Sequence, residues 1–386
     1  MTPPTRSPAL PAGPRTERED AAYLRDQLIT CIGNKRLLLP AIGRAAERVA
    51  GLLGHGRLRI FDGFSGSGVV SRRLRSYAGS IVANDLEAYA RVVSRCYLTN
   101  RSAVDLGSLT RTVEEMNRIV DRRDAVPPGF VERLYAPVDD TAIRPGERVF
   151  YTRDNARRLD AYRTLIGECA TDEQHLLLGP LLSAASVHAN TAGVFKGFYK
   201  DRATGIGKLG GSGADALERI TRPIRLEPPV LSRFETDATV FQEDANRLIE
   251  RVGGFDLAYF DPPYNQHPYG SNYFMLNLLV DYREPHELSR VSGIPVGWNR
   301  SVYNVRKRSF AALRRLVVGV DAEFVLLSFN DEGFVRPDEL RAFLAGLGVV
   351  EEIRIRHNTF RGSRNLRGRR THVTEHLFLL RKRSGG

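Results

Sequence analysis

An acid, two prolines and an aromatic ring, Asp261-Pro262-Pro263-Tyr264, close a short apolar run, Phe255-Asp256-Leu257-Ala258-Tyr259-Phe260. The run reads as a buried strand. The prolines end it, because they donate no backbone hydrogen bond and hold the chain extended. The Asp261 carboxylate, the Pro262 carbonyl and the Tyr264 ring then project together from the strand's carboxyl end, where open α/β sheets bind ligands. Two acceptors and a ring face suit a flat heterocycle bearing an exocyclic amine, with both N–H bonds accepted and the ring stacked. A stiff strand exit with a surface tyrosine would carry the same four residues, so the rest of the chain has to decide.

A second constellation is Asp62-Gly63-Phe64-Ser65-Gly66-Ser67-Gly68, which follows the strand pattern Leu58-Arg59-Ile60-Phe61. Gly66 and Gly68 let the backbone approach a ligand closely, and the helix expected from Val69 offers unpaired N–H groups. Ser71 spoils the GxGxxG frame of nicotinamide sites, and Ser67 stands where a hydrolase elbow needs glycine. Asp62 would repel a pyrophosphate but could pair with an ammonium group, which suggests a zwitterionic amino-acid moiety. Asp85 ends the next strand pattern, Ile81-Val82-Ala83, 23 residues after Asp62, where a ribose-binding carboxylate belongs. Asp244 follows Thr239-Val240-Phe241 and could meet the amine of an adenine ring. Each of these two acids also suits a helix cap or turn. Taken together, three strand ends with acids describe a pocket for adenosine with an amino-acid tail. S-adenosylmethionine is such a molecule.

These residues need a sheet to bring them together. Strand, glycine turn, helix and strand over 58–85 open a doubly wound, Rossmann-like α/β sheet. Helix is expected over 21–53 with an interruption near Gly33. The sheet pattern stops over 101–235, which reads as an inserted, largely helical target-recognition region with a small core of its own, including an apolar helix over 176–187. It resumes with strands at 239–241, 255–260 and 324–327, separated later by helices near 303–318 and 337–346. Ile353–Arg356 and Val373–Leu380 have no helix between them and read as an antiparallel edge hairpin on an otherwise mostly parallel sheet. The catalytic, cofactor-binding domain is therefore expected over 21–100 and 236–386, behind a disordered tail of residues 1–20.

The 386 residues carry a net charge of +12, with only six lysines among 57 basic side chains. Arginine suits bidentate contact with phosphates and guanine edges. Residues 354–386 hold ten Arg or Lys against one acid, Glu375, and lack an amphipathic helical pattern, which favours nucleic acid over a membrane surface. Five prolines in the first twenty residues and no long apolar run indicate a cytoplasmic protein without a signal peptide. Cys31, Cys96 and Cys169 form no CxxC pair, and His372 and His376, four apart on a strand, lack the HExxH pattern, so no metal is expected.

The glycine loop, Asn84-Asp85 and Asp261-Pro262-Pro263-Tyr264, with Ile32-Gly33-Asn34-Lys35-Arg36 upstream, resemble the Dam-like family of adenine-specific (N6) DNA methyltransferases, in that family's motif order. The resemblance covers roughly 21–100 and 236–380. It implies S-adenosylmethionine as cofactor, with Gly33 and Lys35 beside its methionine end. It further implies that Asp62, Phe64, Gly66 and Gly68 form the cofactor loop, and that Asp85, Asp244 and Ala245 hold ribose and adenine. Asp261, Pro262 and Tyr264 become the catalytic residues, acting on an adenine flipped out of double-stranded DNA. Hydrogen-bond logic alone serves RNA adenine or cytosine N4 equally, and a non-catalytic nucleic-acid-binding protein could keep the same core. The implied setting is restriction-modification or host defence, with a cognate restriction endonuclease as a further partner.

Two more stretches mix aromatic or small residues with cations, as phosphate and base contacts do. One is Phe195–Lys200, from which Lys196, Tyr199 and Lys200 are expected on DNA. The other holds Arg361, Arg364, Arg367, Arg369 and Arg370. The loop 267–273, ending at Tyr273, is expected to fold over the flipped base.

Overall fold

A computed structural model describes residues 18–30, 33, 35–123, 126–211, 214–358 and 372–383. Seven strands form one sheet: β1 (Leu58–Asp62), β2 (Ala78–Asp85), β3 (Asp237–Gln242), β4 (Phe255–Phe260), β5 (Ala322–Asn330), β6 (Gly348–Asn358) and β7 (His372–Lys382). Their order is β3-β2-β1-β4-β5-β7-β6. All neighbours run parallel except β7, which is antiparallel to both β5 and β6. The expected hairpin is present, with β7 inserted inside the edge strand β6.

The chain steps outward from β1 through β2 to β3, then crosses back to β4 on the other side of β1. The gap above β1 and β4 is thus the topological switch point, the place where such sheets leave a ligand crevice at their carboxyl ends. Asp62 pairs in register with Ala83 on one side and Tyr259 on the other, so both loops end at the same height.

Among the described residues, fourteen α-helices accompany the sheet. Ahead of and around the first strands lie α1 (Ala21–Arg25), α2 (Leu39–Leu53), α3 (Val69–Arg75) and α4 (Ala88–Leu98). A helical body follows: α5 (Leu106–Asp121), α6 (Phe130–Tyr135), α7 (Arg153–Glu168), α8 (Gln174–Val187) and α9 (Ala214–Thr221). Later come α10 (Ala245–Leu248), α11 (Tyr269–Asn272), α12 (Phe274–Asp281), α13 (Arg306–Gly319) and α14 (Pro337–Leu347).

Strand periodicity sorts the core. Leu257 and Tyr259 of β4 join Ile60, Ile81, Phe324 and Leu326 under α2 and α3. Ala258 and Phe260 face the opposite way, with Phe61, Val325 and Leu327 under α10, α13 and α14. Every residue of β4 is buried, as a central parallel strand requires.

Two expectations change. Helix does not run through 26–30, where Gln27 takes a positive φ of 52°; Gly33, at the expected interruption, has φ 75°. Nor does the helical region keep a core to itself. Its buried residues form one cluster with Tyr89, Val92, Val93 and Cys96 of α4 and Phe274–Leu279 of α12. The contact is close: a Cβ on Gly179 of α8 would lie 2.6 Å from the Cys96 sulfur. Helix α4 packs on β2 and β3 as well as on α8 of the helical body, and α12 packs on α4 and α8. Among the described residues no helix is long and apolar enough to cross a membrane.

Candidate active site

A cleft of about 930 Å³, open to solvent, lies at the switch point. Its floor is the loop 63–67 after β1, and its walls come from the ends of β2, β3 and β4. Gly66, at φ 50°, donates its N–H to Asp85 Oδ2 at 2.8 Å, and Glu87 N donates to Asp85 Oδ1 at 3.0 Å. Asp85 therefore lines the cleft while holding two turns in shape. Burial raises its carboxyl above the ordinary range, and the backbone donors oppose that.

Asp244 also lines the cleft, and it is a helix cap as well: Oδ1 accepts from Asn246 N at 2.9 Å and Arg247 N at 3.3 Å. Both cap bonds use one oxygen, so capping and ligand binding are compatible. Phe64 reaches the cleft with its ring edge-on to Tyr303, 5.2 Å between centroids.

At the β4 side, Lys35 is buried between two carboxylates, 3.1 Å from Asp261 Oδ1 and 3.2 Å from Glu375 Oε2 on β7. Burial opposes its charge, but the two acids hold its pKa above the ordinary lysine value. Asp261 keeps 19% of its side chain exposed, toward the cleft. Burial pushes its pKa up to about 6, with Lys35 pulling down and Glu375 pushing up. The loop beyond is pinned where Phe334 N donates to the Tyr264 carbonyl at 2.8 Å and Asn304 Nδ2 to that of Asn265 at 2.8 Å.

Of the residues expected at the site, Gly33, Lys35, Phe64, Gly66, Asp85, Asp244, Ala245 and Asp261 line this one cleft. Asp62 does not. It is fully buried behind the loop, where Oδ2 accepts from Ser71 Oγ at 2.5 Å, and burial pushes its pKa up to about 7. Its expected partnership with a ligand's ammonium group is corrected accordingly: it shapes the loop from below. Gly68 likewise stands outside the cleft, capping α3 at φ 75° beneath Val93. Pro263, not Pro262, lines the cleft wall. Tyr264 turns from the cleft toward Phe329, 6.0 Å between ring centroids, with Lys35 Nζ 5.8 Å from its ring. Its hydroxyl faces Gly33.

The nucleic-acid expectations divide. Lys196 is exposed on the helical body, while Tyr199 and Lys200 are half-buried, the latter with Nζ 5.0 Å from the Phe198 ring. Phe195 and Phe198 between them are core residues. Tyr273 is fully buried, stacked on Tyr269 at 5.7 Å, so it cannot touch DNA as expected. The segment folds inward because Tyr273, one helical turn from the Tyr269 ring it stacks on, packs against Tyr89 with 5.8 Å between centroids. Arg361, Arg364, Arg367, Arg369 and Arg370 lie outside the described residues.

Tyr269, within the loop expected over the flipped base, lines the cleft, and sequence reasoning missed Glu87, Asn299, Ser301, Tyr303 and Asn304, which line it too. Glu87 is buried and accepts from Asn277 Nδ2 at 2.6 Å; burial pushes its pKa up to about 7. Its place two residues past Asp85 was a usable signal. Glu375 left another, as the single acid of the basic carboxyl-terminal stretch.

Comparison with known proteins agrees with this geometry. The Type II methyltransferase M.NlaIII of Neisseria lactamica is 27% identical over 332 residues, 83% of this chain and 90% of that protein. The Type II methyltransferase M.CviAII of Paramecium bursaria Chlorella virus 1 is 28% identical over 328 residues, 83% of this chain and 89% of that protein. The modification methylase StsI of Streptococcus sanguinis is 23% identical over 369 residues, 91% of this chain but 52% of that longer protein. The family model of D12 class N6 adenine-specific DNA methyltransferases matches residues 32–133 and 220–342, more than half of the chain, and breaks across the helical body. With its strand-end acids, glycine loop and Asp261-Pro262-Pro263-Tyr264 around one cleft, this chain belongs to the D12 class of N6 adenine-specific DNA methyltransferases.

Proposed function

We propose that the enzyme transfers the methyl group of S-adenosylmethionine to the N6 amine of an adenine flipped out of a specific site in double-stranded DNA. The carrying observation is that Asp261, fixed through Lys35, shares one cleft with the Gly66 loop, Asp85 and Asp244. The residues present fit the donor. Gly66 exposes backbone to an amino-acid tail, Asp85 and Glu87 offer acceptors to ribose hydroxyls, and Asp244 keeps Oδ2 for an adenine amine. Asp85, Glu87, Glu243, Asp244 and Asp261 outnumber Lys35 around the cleft, which favours a cationic ligand inside a basic protein.

S-adenosylmethionine, when bound, supplies an electrophilic methyl group. The chain must then make a poor nucleophile attack, since the N6 lone pair is delocalised into the adenine ring. Asp261 accepts one N–H bond at the cleft, and the Pro262 carbonyl, behind the Pro263 wall, accepts the other once that loop shifts; the pair favours a pyramidal nitrogen and directs the lone pair into the cleft. The same acceptors stabilise the positive charge that grows on nitrogen. Lys35 holds Asp261 in place and keeps it ionised, ready for the proton that the methylated amine sheds. An adenine inside a duplex cannot reach this depth, so it has to leave the stack. Tyr264 serves as its stacking partner once the ring turns from Phe329 toward the cleft.

The helical region 101–235 is assigned to target recognition. The family match breaks within it, and Lys196, Tyr199 and Lys200 lie on it. A restriction-modification role, with a cognate endonuclease, is supported by relatives called Type II methyltransferases and modification methylases. The deciding experiment incubates the protein with S-adenosylmethionine labelled on its methyl group and duplex DNA, single-stranded DNA or RNA. Label should enter adenine of duplex DNA. Asp261→Ala should abolish transfer while donor and DNA binding persist, and retained transfer in that variant would overturn the assignment of Asp261.

A further inference from the structure

Between α12 and α13 the chain runs through residues 283–301 with one isolated bridge, Leu288 to Pro295, as its regular structure. Even so, it is tied down along its length. Ser289 N donates to the Ile294 carbonyl at 2.9 Å and Val296 N to that of Glu287 at 3.2 Å, folding the segment on itself. Tyr135 Oη donates to the Gly293 carbonyl at 2.7 Å, and Ser292 Oγ to that of Lys196 at 2.5 Å, which fastens it to the helical body. At its other end Asn299 Nδ2 donates to the Leu86 carbonyl at 3.1 Å, and Asn299 and Ser301 line the cleft. Gly270 sits so close beneath that a Cβ would lie 2.7 Å from the Asn299 carbonyl oxygen. The segment is a strap that reaches the cleft at its carboxyl-terminal end and is tied to the helical body at the other.

Its outer residues have no role in the chemistry above. Trp298, the chain's one tryptophan, is half-buried beside Asn299, and the exposed Arg300 guanidinium lies 4.4 Å from its ring centroid. Residues 288–308 include Arg290, Arg300, Arg306, Lys307 and Arg308, all exposed, and no Asp or Glu. A flat ring and a paired guanidinium in an acid-free basic stretch are the two groups that sequence-tolerant strand contact uses: one for base faces, one for phosphate. Their place on either side of a cleft-lining asparagine sets them where a strand must pass to deliver its adenine.

We propose that Trp298 and Arg300 form a DNA-docking rim, the indole stacking on a base beside the extruded adenine and the guanidinium holding a phosphate of that strand. This rests on the reading that adenine enters this cleft. The single tryptophan gives a direct readout. The full-length protein is titrated with sheared duplex DNA from a host lacking adenine methylation, while retention of fluorescently labelled DNA is followed separately.

Tryptophan emission should change in parallel with DNA retention. Heparin, a polyanion without bases, should bind and leave the emission unmoved. Trp298→Ala should weaken DNA binding roughly tenfold, the loss of one base–aromatic stack, while Trp298→Phe keeps most of the affinity. Arg300→Gln should lower the slope of log affinity against log salt by about one. Donor affinity should stay at the wild-type value in all three variants, which separates a lost contact from a lost fold. Emission unmoved at saturating DNA, an equal response to heparin, or wild-type DNA affinity in Trp298→Ala would each overturn the rim. Wild-type protein that retains no DNA would instead sink the reading of the cleft itself, and the rim with it.

Discussion

Replacing Lys35 by methionine tests the charge arrangement on which the site depends. The lysine is the only cation among the described residues that line the cleft, 3.1 Å from Asp261 and 3.2 Å from Glu375, with 4% of its side chain exposed. Methionine fills similar volume and leaves two largely buried carboxylates facing each other. Breaking a buried pair by removing one partner costs about 3–5 kcal/mol, because the remaining charge is uncompensated. The sign of the pH dependence follows from Asp261, whose folded-state pKa of about 6 already lies above that of an unfolded aspartate. A raised carboxyl favours the fold at low pH and loses that contribution as pH rises through its folded pKa. Without Lys35 the rise is steeper, since its attraction was the main force lowering that pKa. Wild-type Lys35 stays charged across this range. Urea unfolding of both proteins at pH 5 and pH 8 should therefore show a difference that grows toward pH 8. Glu375→Gln, added to Lys35→Met, should recover part of it. A loss below about 1 kcal/mol, or one equal at both pH values, would refute the buried-triad account.

The Asp261 carboxyl makes a kinetic prediction as well: methyl transfer should fall as pH drops below about 6, where the carboxylate is lost as an acceptor. Glu87, pushed to about 7, titrates nearby, so the measurement belongs in Glu87→Gln as well, where the Asp261 limb should remain. Tyr273→Ala should lower stability by about 3–5 kcal/mol, as large buried aromatics do, and leave the DNA affinity of the folded protein unchanged. A specific loss of DNA affinity, with normal thermal unfolding, would restore the ring to the DNA interface.

Much of the site was legible because its parts are local in sequence. A glycine loop must follow a strand and precede a helix, and a proline pair must stop a strand, so Asp62, Gly66, Asp85 and Asp261 could be placed at strand ends before any fold was known. The doubly wound sheet and its antiparallel hairpin followed from the same periodicity. The acids themselves were harder to rank. Asp62 and Asp85 look alike in sequence, each ending a strand. Yet one lies wholly under the loop with Ser71, and the other reaches the cleft.

Periodicity also misjudged what aromatic residues among cations mean. Phe195 and Phe198 are interleaved with lysines, and Tyr273 ends a loop with glycine and small residues, which suggested nucleic-acid contacts, but all three belong to the core beneath the helical body. That core could not be assigned from composition, since it is completed by α4, which also packs on the sheet, and by α12, which lies beyond β3 and β4 in the chain.

The order of motifs, the basic balance and the types of side chain at the strand ends were determined by the sequence alone, because each depends on residues close together along the chain. Tertiary structure decided which of them share a surface. It brought Glu375 of the last strand to Lys35 near the first helices, 340 residues apart. It also brought the end of the strap, beside Trp298, to the cleft and turned Tyr264 and Tyr273 inward. Those choices come from packing between distant elements, where a side chain's partners are fixed by sheet order and not by its neighbours in sequence.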